Sequence, residues 1–361
     1  MIIGIDAAKA AIVNRSGVEN FVYQVILNLK KIDSTNTYYL YTNKHLPAEL
    51  LGDNFQEKYI EGSRFWNRYF LPKALAEFPP EVYFQPLDFI PKNAPAKTLA
   101  VVHDLASKFF PEAYSFRERI VQKMSLDNLT QKAEKIVCIS QSTKSDLLQF
   151  YPSVKDKVEV VYLGYDHDKF HPIIQPKDIL KLDEHYILYS GRIEERKNTL
   201  ALVRAFFKAK KAHHFTHKLV LAGGSGHGAN KVYNEINQNI EFRKDVVLPG
   251  HISHDKLPDL IAGADLFAFP SLYEGFGLSL IEAMACGTVV LTSNSSAMPE
   301  VGGDSVYYID PKNEKNIADG LYESLTDIDL RRDLKKKAPD QAKKFSWEKT
   351  ARDILNILEK L

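Results

Sequence analysis

Two glutamates in the spacing Glu-x7-Glu, Glu274 and Glu282, bracket a glycine turn in the segment SLYEGFGLSLIEAMACG, residues 271–287. The run before it, DLFAFP at 265–270, reads as a buried strand, and LSLIEAMA after Gly277 reads as an amphipathic helix. Glycines at 275 and 277 let a ligand come close to the main chain. The first N–H groups of the helix have no acceptor one turn back and point outward, which makes the terminus an anion site. Glu282 lies one turn beyond Leu278, about 6 Å along the axis. A nucleoside diphosphate held at the terminus would bring its ribose near Glu282, whose carboxylate can accept from both hydroxyls. Glu274 stands before the turn, where a group attached to the β-phosphate would lie. Taken alone, the pair also reads as a surface-loop carboxylate and a solvated helix glutamate.

The matching cations are in SGRIEERKN, residues 190–198. Gly191 opens a turn, Arg192 offers a planar fork and Lys197 a point charge. Both suit a diphosphate, and both would stabilise the negative charge left on a departing phosphate. The competing reading is a solvated turn in which they pair with Glu194 and Glu195. His103 closes the strand candidate TLAVVHD (98–104) and is either a site residue or a half-buried structural imidazole.

Other patterns carry less. Asp166-x-Asp168 and Asp327-x-Asp329 have a metal-binding spacing, but one lies in a linker and one in a helical tail, so no metal is assigned. His213, His214 and His217 have no neighbouring carboxylate or cysteine in the sequence and read as a solvated helix end. GGSGHGA at 223–229 approximates a dinucleotide fingerprint and supports a rival class, an NAD(P)-dependent oxidoreductase with Glu241 as the acid. Against that class, the loop follows the second strand of its domain rather than the first. RFWNRYFLPKAL at 64–75 interleaves basic and aromatic residues. It is a candidate contact with a lipid surface, or a core-packed helix whose arginines extend to water.

These residues must be held by strands and helices that alternate along the whole chain. Strand candidates are MIIGID (1–6), TYYLYT (37–42), VYFQ (82–85), TLAVVHD, KIVCIS (135–140) and VEVVYLG (158–164). After a Pro- and charge-rich stretch at 165–185 come YILYSG (186–191), KLVLAGG (218–224), VVLPG (246–250), DLFAFP and TVVLTS (288–293). Val18, Phe21, Val22, Val25 and Leu29 share one helix face. Runs apolar on both faces suit parallel sheets covered by helices. The tail from about 313 is helical and ends in a segment capped by Ser346. Length agrees with two domains: 361 residues, 45% hydrophobic. Lys+Arg 47 against Asp+Glu 46 leaves a net charge of +1, which argues against a nucleic-acid binder. Two distant cysteines, Cys138 and Cys286, exclude a disulfide scaffold, and no apolar run approaches a membrane span. The expectation is a cytoplasmic α/β enzyme of two doubly wound domains that face a cleft.

With these residues in place, the chain resembles the family 4 glycosyltransferases. The resemblance runs through YEGFGLSLIEAMACG, SGRIEERKN, VHDL (102–105), CISQSTKSDL (138–147), VVYLGYDHDKFHP and PEVGGD (299–304), in the family's order. It implies a GT-B fold with an acceptor-side domain at 1–168, a nucleotide-sugar domain at 169–345, and a helix at 346–361 crossing back to the first domain. It implies a retaining, metal-independent hexosyltransferase without cofactor that moves sugar from a nucleotide sugar to a glycan or lipid-linked saccharide. Relatives use GDP-mannose, UDP-glucose and UDP-N-acetylglucosamine. GDP-mannose is the donor expected, in polysaccharide biosynthesis, with peripheral contact at the inner face of the cell membrane through 64–75. A nucleotide-sugar epimerase on the same scaffold is the other alternative. By resemblance Glu274 takes the sugar hydroxyls, Glu282 the ribose, and Arg192, Lys197 and the amides around Gly277 and Leu278 the pyrophosphate. Gly191, Gly250, Gly275 and Phe276 complete the donor side. Gly17 corresponds to the glycine that lets the N-terminal loop approach the donor phosphate, and His103 to a histidine near the sugar's reacting face. The family often has two adjacent glycines where this chain has Arg15-Ser16-Gly17.

Overall fold

Seven parallel strands build the first sheet in the computed structural model, which describes residues 1–361 apart from 13, 14, 16, 63–65, 88, 183 and 184. They are β1 (Ile2–Asp6), β2 (Thr37–Thr42), β3 (Phe55–Tyr59), β4 (Val82–Gln85), β5 (Thr98–Val102), β6 (Lys135–Cys138) and β7 (Val158–Val160). Their order is β3-β2-β1-β4-β5-β6-β7, so the winding reverses beside β1. The helix Gly17–Ile32 buries Phe21, Val22, Val25, Ile26 and Leu29, the face its periodicity marks.

Six further parallel strands form the second sheet: β8 (Tyr186–Ser190), β9 (Lys218–Ala222), β10 (Val246–Gly250), β11 (Leu266–Phe269), β12 (Val290–Ser293) and β13 (Tyr307–Ile309). The order is β10-β9-β8-β11-β12-β13, with the reversal between β8 and β11. Ligands of open α/β sheets bind beyond the carboxyl ends of the strands at such a reversal. The loops leaving β8 and β11 carry Arg192, Lys197 and Glu274. Strand order is therefore what brings two distant sequence segments together.

The chain divides into two compact units, residues 1–164 with 346–361, and residues 165–345. The second unit begins at Tyr165 rather than at 169. The reason is a local turn: the Asp166 carbonyl accepts from the amides of Lys169 and Phe170, and Phe170 is buried. The terminal helix Trp347–Leu358 returns to the first unit. Ser346 caps it through Lys349 N, Thr350 Oγ1 donates to the Tyr162 carbonyl at 2.8 Å, and Trp347 meets Phe21 with ring centroids 6.3 Å apart. A Cβ on Gly164 would fall 2.0 Å from Trp347 N, so only glycine allows that approach.

Candidate active site

The turn after β8 is shaped by close packing. Gly191 has φ +151°, and the buried Tyr189 hydroxyl donates to the Arg192 carbonyl at 2.6 Å. A Cβ on Gly223, at the end of β9, would lie 1.9 Å from the Gly191 carbonyl oxygen. The glycines of GGSGHGA thus serve strand-end packing at Gly223, and Gly228, φ +79°, opens the helix Ala229–Gln238. Residues Glu195–Lys197 form a single 3-10 turn, tied to the loop after β11 by Leu272 N donating to the Arg196 carbonyl at 2.9 Å.

That loop delivers Glu274 into a buried position, with its side chain 9% exposed. Lys197 Nζ lies 2.5 Å from Glu274 Oε1, and Arg196 Nη1 lies 3.4 Å from Oε2. Ser296 fixes the backbone, its hydroxyl accepting from Glu274 N at 3.0 Å and donating to the Glu274 carbonyl at 2.5 Å. Burial pushes the Glu274 carboxyl upward, but Lys197 and then Arg196 outweigh it and hold it below the ordinary carboxylate value. A buried carboxylate, kept ionised by two cations, sits beside a helix N-terminus.

The helix is Leu278–Ala285, entered through Gly277 at φ +107°. Its first amides lack intrahelical acceptors. Gly275 and Phe276 are buried in the turn, and Phe276 meets Phe345 edge to face at 5.6 Å. Glu282 follows one turn on. It is half-buried, and its loss of solvent lifts the carboxyl to about 8, with a smaller push from the Asp166 carboxylate. Gly250 ends β10 at φ +74°, and a Cβ there would meet nothing within 4 Å.

Arg192 differs from expectation. Its side chain is 69% exposed and stands 3.8 Å from Glu194, and Arg196 occupies the inner place. Arg196 donates to the Tyr273 carbonyl at 3.1 Å and reaches Glu194 and Glu274 at once. The sequence alone does not single it out, because the path of the turn, not the residue type, decides whether Arg192 or Arg196 joins Lys197 at Glu274. Its signal was only its place beside Lys197.

The first unit holds the other expected residues. Gly17 begins its helix with ordinary φ and open space around a Cβ; Ser16, in the same motif, lies outside the described residues. His103 Nε2 donates to the Pro86 carbonyl at 2.9 Å, and the ring meets Phe21 edge-on at 4.9 Å. His103 lines a cavity of about 210 Å³ with Val18, Asp104, Ser107 and Gln122 among its walls. A larger cavity, about 480 Å³, opens beyond β1 and β2 against Asp6, Lys9, Asn43, Lys44, Trp66 and Arg68. Asp6, missed in the sequence because it closes an apolar strand, is buried, and burial raises its carboxyl pKa against the opposing bonds from Ala8 N, Trp66 and Gln85. Of 64–75, residues 64 and 65 lie outside the described residues. Trp66, Leu71, Ala74 and Leu75 pack in the core with Tyr41 and Tyr83, the core-packed alternative.

The Asp-x-Asp pairs do local work. Asp166 Oδ1 accepts from the amides of Asp168 and Lys169, and Asp327 caps the helix Ile328–Ala342. The histidine cluster splits: His213 stacks on Tyr322 at 3.7 Å, His214 ends its helix at φ +52°, and His217 turns to His185 and Asp265 at the opposite end of the strands from Glu274. Its carboxylate partner comes from a distant strand, which a local reading does not see.

The family model described as Glycosyltransferase Family 4 matches residues 15–169, and that of Glycosyl transferases group 1 matches residues 172–341. The chain belongs to the family 4 glycosyltransferases. This glycosyltransferase is 27% identical over 296 residues to the O-antigen chain mannosyltransferase B of Escherichia coli, covering 80% of this chain and 76% of that protein. It is 31% identical over 280 residues to the serotype-specific mannosyltransferase WbdA of Escherichia coli, covering 72% of this chain but only 33% of WbdA. The structure of sucrose-phosphate synthase from Thermosynechococcus elongatus superposes with a TM-score of 0.78 at 20% identity, over 100% of this chain and 98% of that one. That likeness shows the GT-B fold. Among the described residues of this glycosyltransferase, no helix is long and apolar enough to cross a membrane.

Proposed function

We propose that this glycosyltransferase moves mannose from GDP-mannose, with retention and without metal, to a growing saccharide chain. The buried Glu274–Lys197–Arg196 cluster beside the helix Leu278–Ala285 carries the reading. In the proposal the diphosphate sits at the helix N-terminus with Lys197 beside it and Arg192 turning in from solvent. Glu274 holds sugar hydroxyls, Arg196 keeps Glu274 in place, and Glu282 accepts from the ribose. Gly191, Gly250, Gly275, Phe276 and Leu278 line the donor, and Gly17 and His103 take the roles that the family resemblance implies for them.

As the bond from the anomeric carbon to the phosphate oxygen breaks, its electron pair stays on the diphosphate. Lys197 and the helix amides meet that charge where it grows. The proposal uses no enzyme nucleophile. The acceptor hydroxyl attacks from the leaving-group face, and the departing phosphate oxygen takes its proton. The two mannosyltransferase relatives support the sugar, and the O-antigen relative supports a saccharide acceptor. The cavity holding Asp6, Lys44 and Trp66 is the acceptor candidate. For peripheral membrane contact the better surface is the exposed row Phe116, Ile120, Val121 and Met124, with Arg117, Arg119 and Lys123 beside it, rather than 64–75.

The test is turnover of GDP-mannose, UDP-glucose and UDP-N-acetylglucosamine with short saccharide acceptors, followed by proton NMR of the product. An α-linked mannosyl product from the α-linked donor supports the reading. A β-linked product refutes retention, and faster turnover of either UDP-sugar refutes the donor.

A further inference from the structure

The second sheet has a second concentration of chemistry, at the amino ends of its strands. We propose that His185, His217 and Asp265 form a zinc site that clips three neighbouring strands together.

Each of the three residues stands one position ahead of a strand: His185 before β8, His217 before β9 and Asp265 before β11. These strands are adjacent, in the order β9-β8-β11. Tyr186 pairs with Lys218 and Leu266 with Ile187, so the register sets His185 level with His217 and brings Asp265 alongside. Backbone bonds hold the three starting points, with Lys218 N donating to the His185 carbonyl at 2.9 Å and Asp265 N to the Tyr186 carbonyl at 3.0 Å.

The side chains converge on one oxygen. His185 Nδ1 is 2.7 Å from Asp265 Oδ2, His217 Nε2 is 3.6 Å from the same atom, and the three ligand atoms lie within 4.8 Å of one another. Zinc bonds of about 2.0–2.1 Å to each ligand in tetrahedral geometry need separations of roughly 3.3 Å. His185, 74% exposed, has room to turn by the required amount. Arg331 takes the other side of the carboxylate. Its Nη2 is 3.7 Å from Oδ1 and its Nη1 donates to the Asp265 carbonyl at 3.2 Å, which leaves Oδ2 facing the imidazoles. Outer partners that orient a ligating carboxylate in this way are usual at metal sites.

His217 Nε2 faces the carboxylate from 3.6 Å, beyond hydrogen-bond distance, and is the ring nitrogen a zinc ion would take. Two imidazoles and one carboxylate form a zinc donor set, with water completing the four-coordinate shell. The site is remote from Glu274 along the strands, so its metal takes no part in sugar transfer.

The experiment uses the chelator-stripped protein and zinc chloride alone, read by titration calorimetry, by the melting temperature, and by the visible spectrum after cobalt substitution. The expected result is one zinc per chain, a melting temperature that rises with zinc, and cobalt bands of tetrahedral intensity. His185→Ala, at an exposed position, and Asp265→Asn should each weaken binding at least tenfold and abolish the thermal shift. The His213→Ala/His214→Ala double variant should bind as the parent does. Equal binding by the parent and His185→Ala, loss of binding in the His213/His214 variant, or no binding by the parent overturns the proposal.

Discussion

Replacing Glu282 by Gln should make the protein more stable and its nucleotide binding weaker, and both effects should depend on pH. Glu282 holds its proton up to about 8, against an ordinary value of 4.5. Between those values the folded state binds more protons than the unfolded one, so this residue's contribution to stability falls as pH rises through that window. At 1.36 kcal/mol per unit, the cost relative to a group that never ionises comes to about 1 kcal/mol at pH 5 and about 3 at pH 7. Glutamine removes that slope. The variant's advantage should grow by about 2.5 kcal/mol from pH 5 to pH 7, or roughly 5–10 °C in Tm for a unit of this size. Nucleotide binding works in the opposite sense. Ribose hydroxyls that donate to Glu282 favour the carboxylate, so binding expels close to one proton at pH 7 and tightens with pH up to about 8. The Glu282→Gln variant should bind a nucleoside diphosphate about 1.5–3 kcal/mol more weakly, with no such pH slope. Melting curves from pH 5 to 8, and calorimetry in two buffers of different ionisation enthalpy, measure both. Parallel melting profiles for parent and variant would refute the buried-carboxyl argument. Equal proton release would remove Glu282 from the ribose.

Lys197→Ala should lower kcat by roughly 10² to 10³ at saturating donor, the loss of one leaving-group contact. It should also lower Tm mainly above pH 5, because the depressed Glu274 pKa contributes stability above 4.5 that is lost on acidification. A kcat near that of the parent would assign the leaving-group role elsewhere. Turnover should persist in excess EDTA, even while the chelator lowers Tm by stripping zinc; activity lost to EDTA and restored by Mn²⁺ would contradict metal independence. Gly223→Ala places a Cβ 1.9 Å from a backbone oxygen and should cost at least about 2 kcal/mol of stability. Gly17→Ala meets nothing within 4 Å and should leave Tm unchanged while raising the KM for donor; an unchanged KM would take the N-terminal loop off the donor phosphate.

Strands apolar on both faces were legible where the sheet covers them, as with VCI across the end of β6; VVY instead runs off the edge strand β7, which ends at Val160. β3 was not legible, because only Phe55 of FQEKY is buried and the rest of this edge strand faces solvent, and β13 is too short to show a period. Glu274, Lys197 and the helix entry were legible as types and spacings. Their contact was not, because strand order sets it. For the same reason Arg196 and Arg192 exchange the places their chemistry alone would suggest, and His217 finds a carboxylate that is remote in sequence. Asp6 went unnoticed as the last letter of an apolar strand, where only the cavity beyond β1 gives it meaning.

The returning helix at Trp347–Leu358 sets an order on folding. The face of Gly17–Ile32 that carries Phe21 waits for Trp347, and Gly164 waits for the chain segment that lies against it. During synthesis the first unit therefore emerges early yet remains open until residues 346–361 have been made, whereas 165–345 has all its strands in one stretch and can close by itself. The second unit is in effect an insertion in the first, and a chain stopped at residue 345 would lack the cover of the first unit while keeping every strand of the second. The segment that finishes the first domain is made only after the whole of the second.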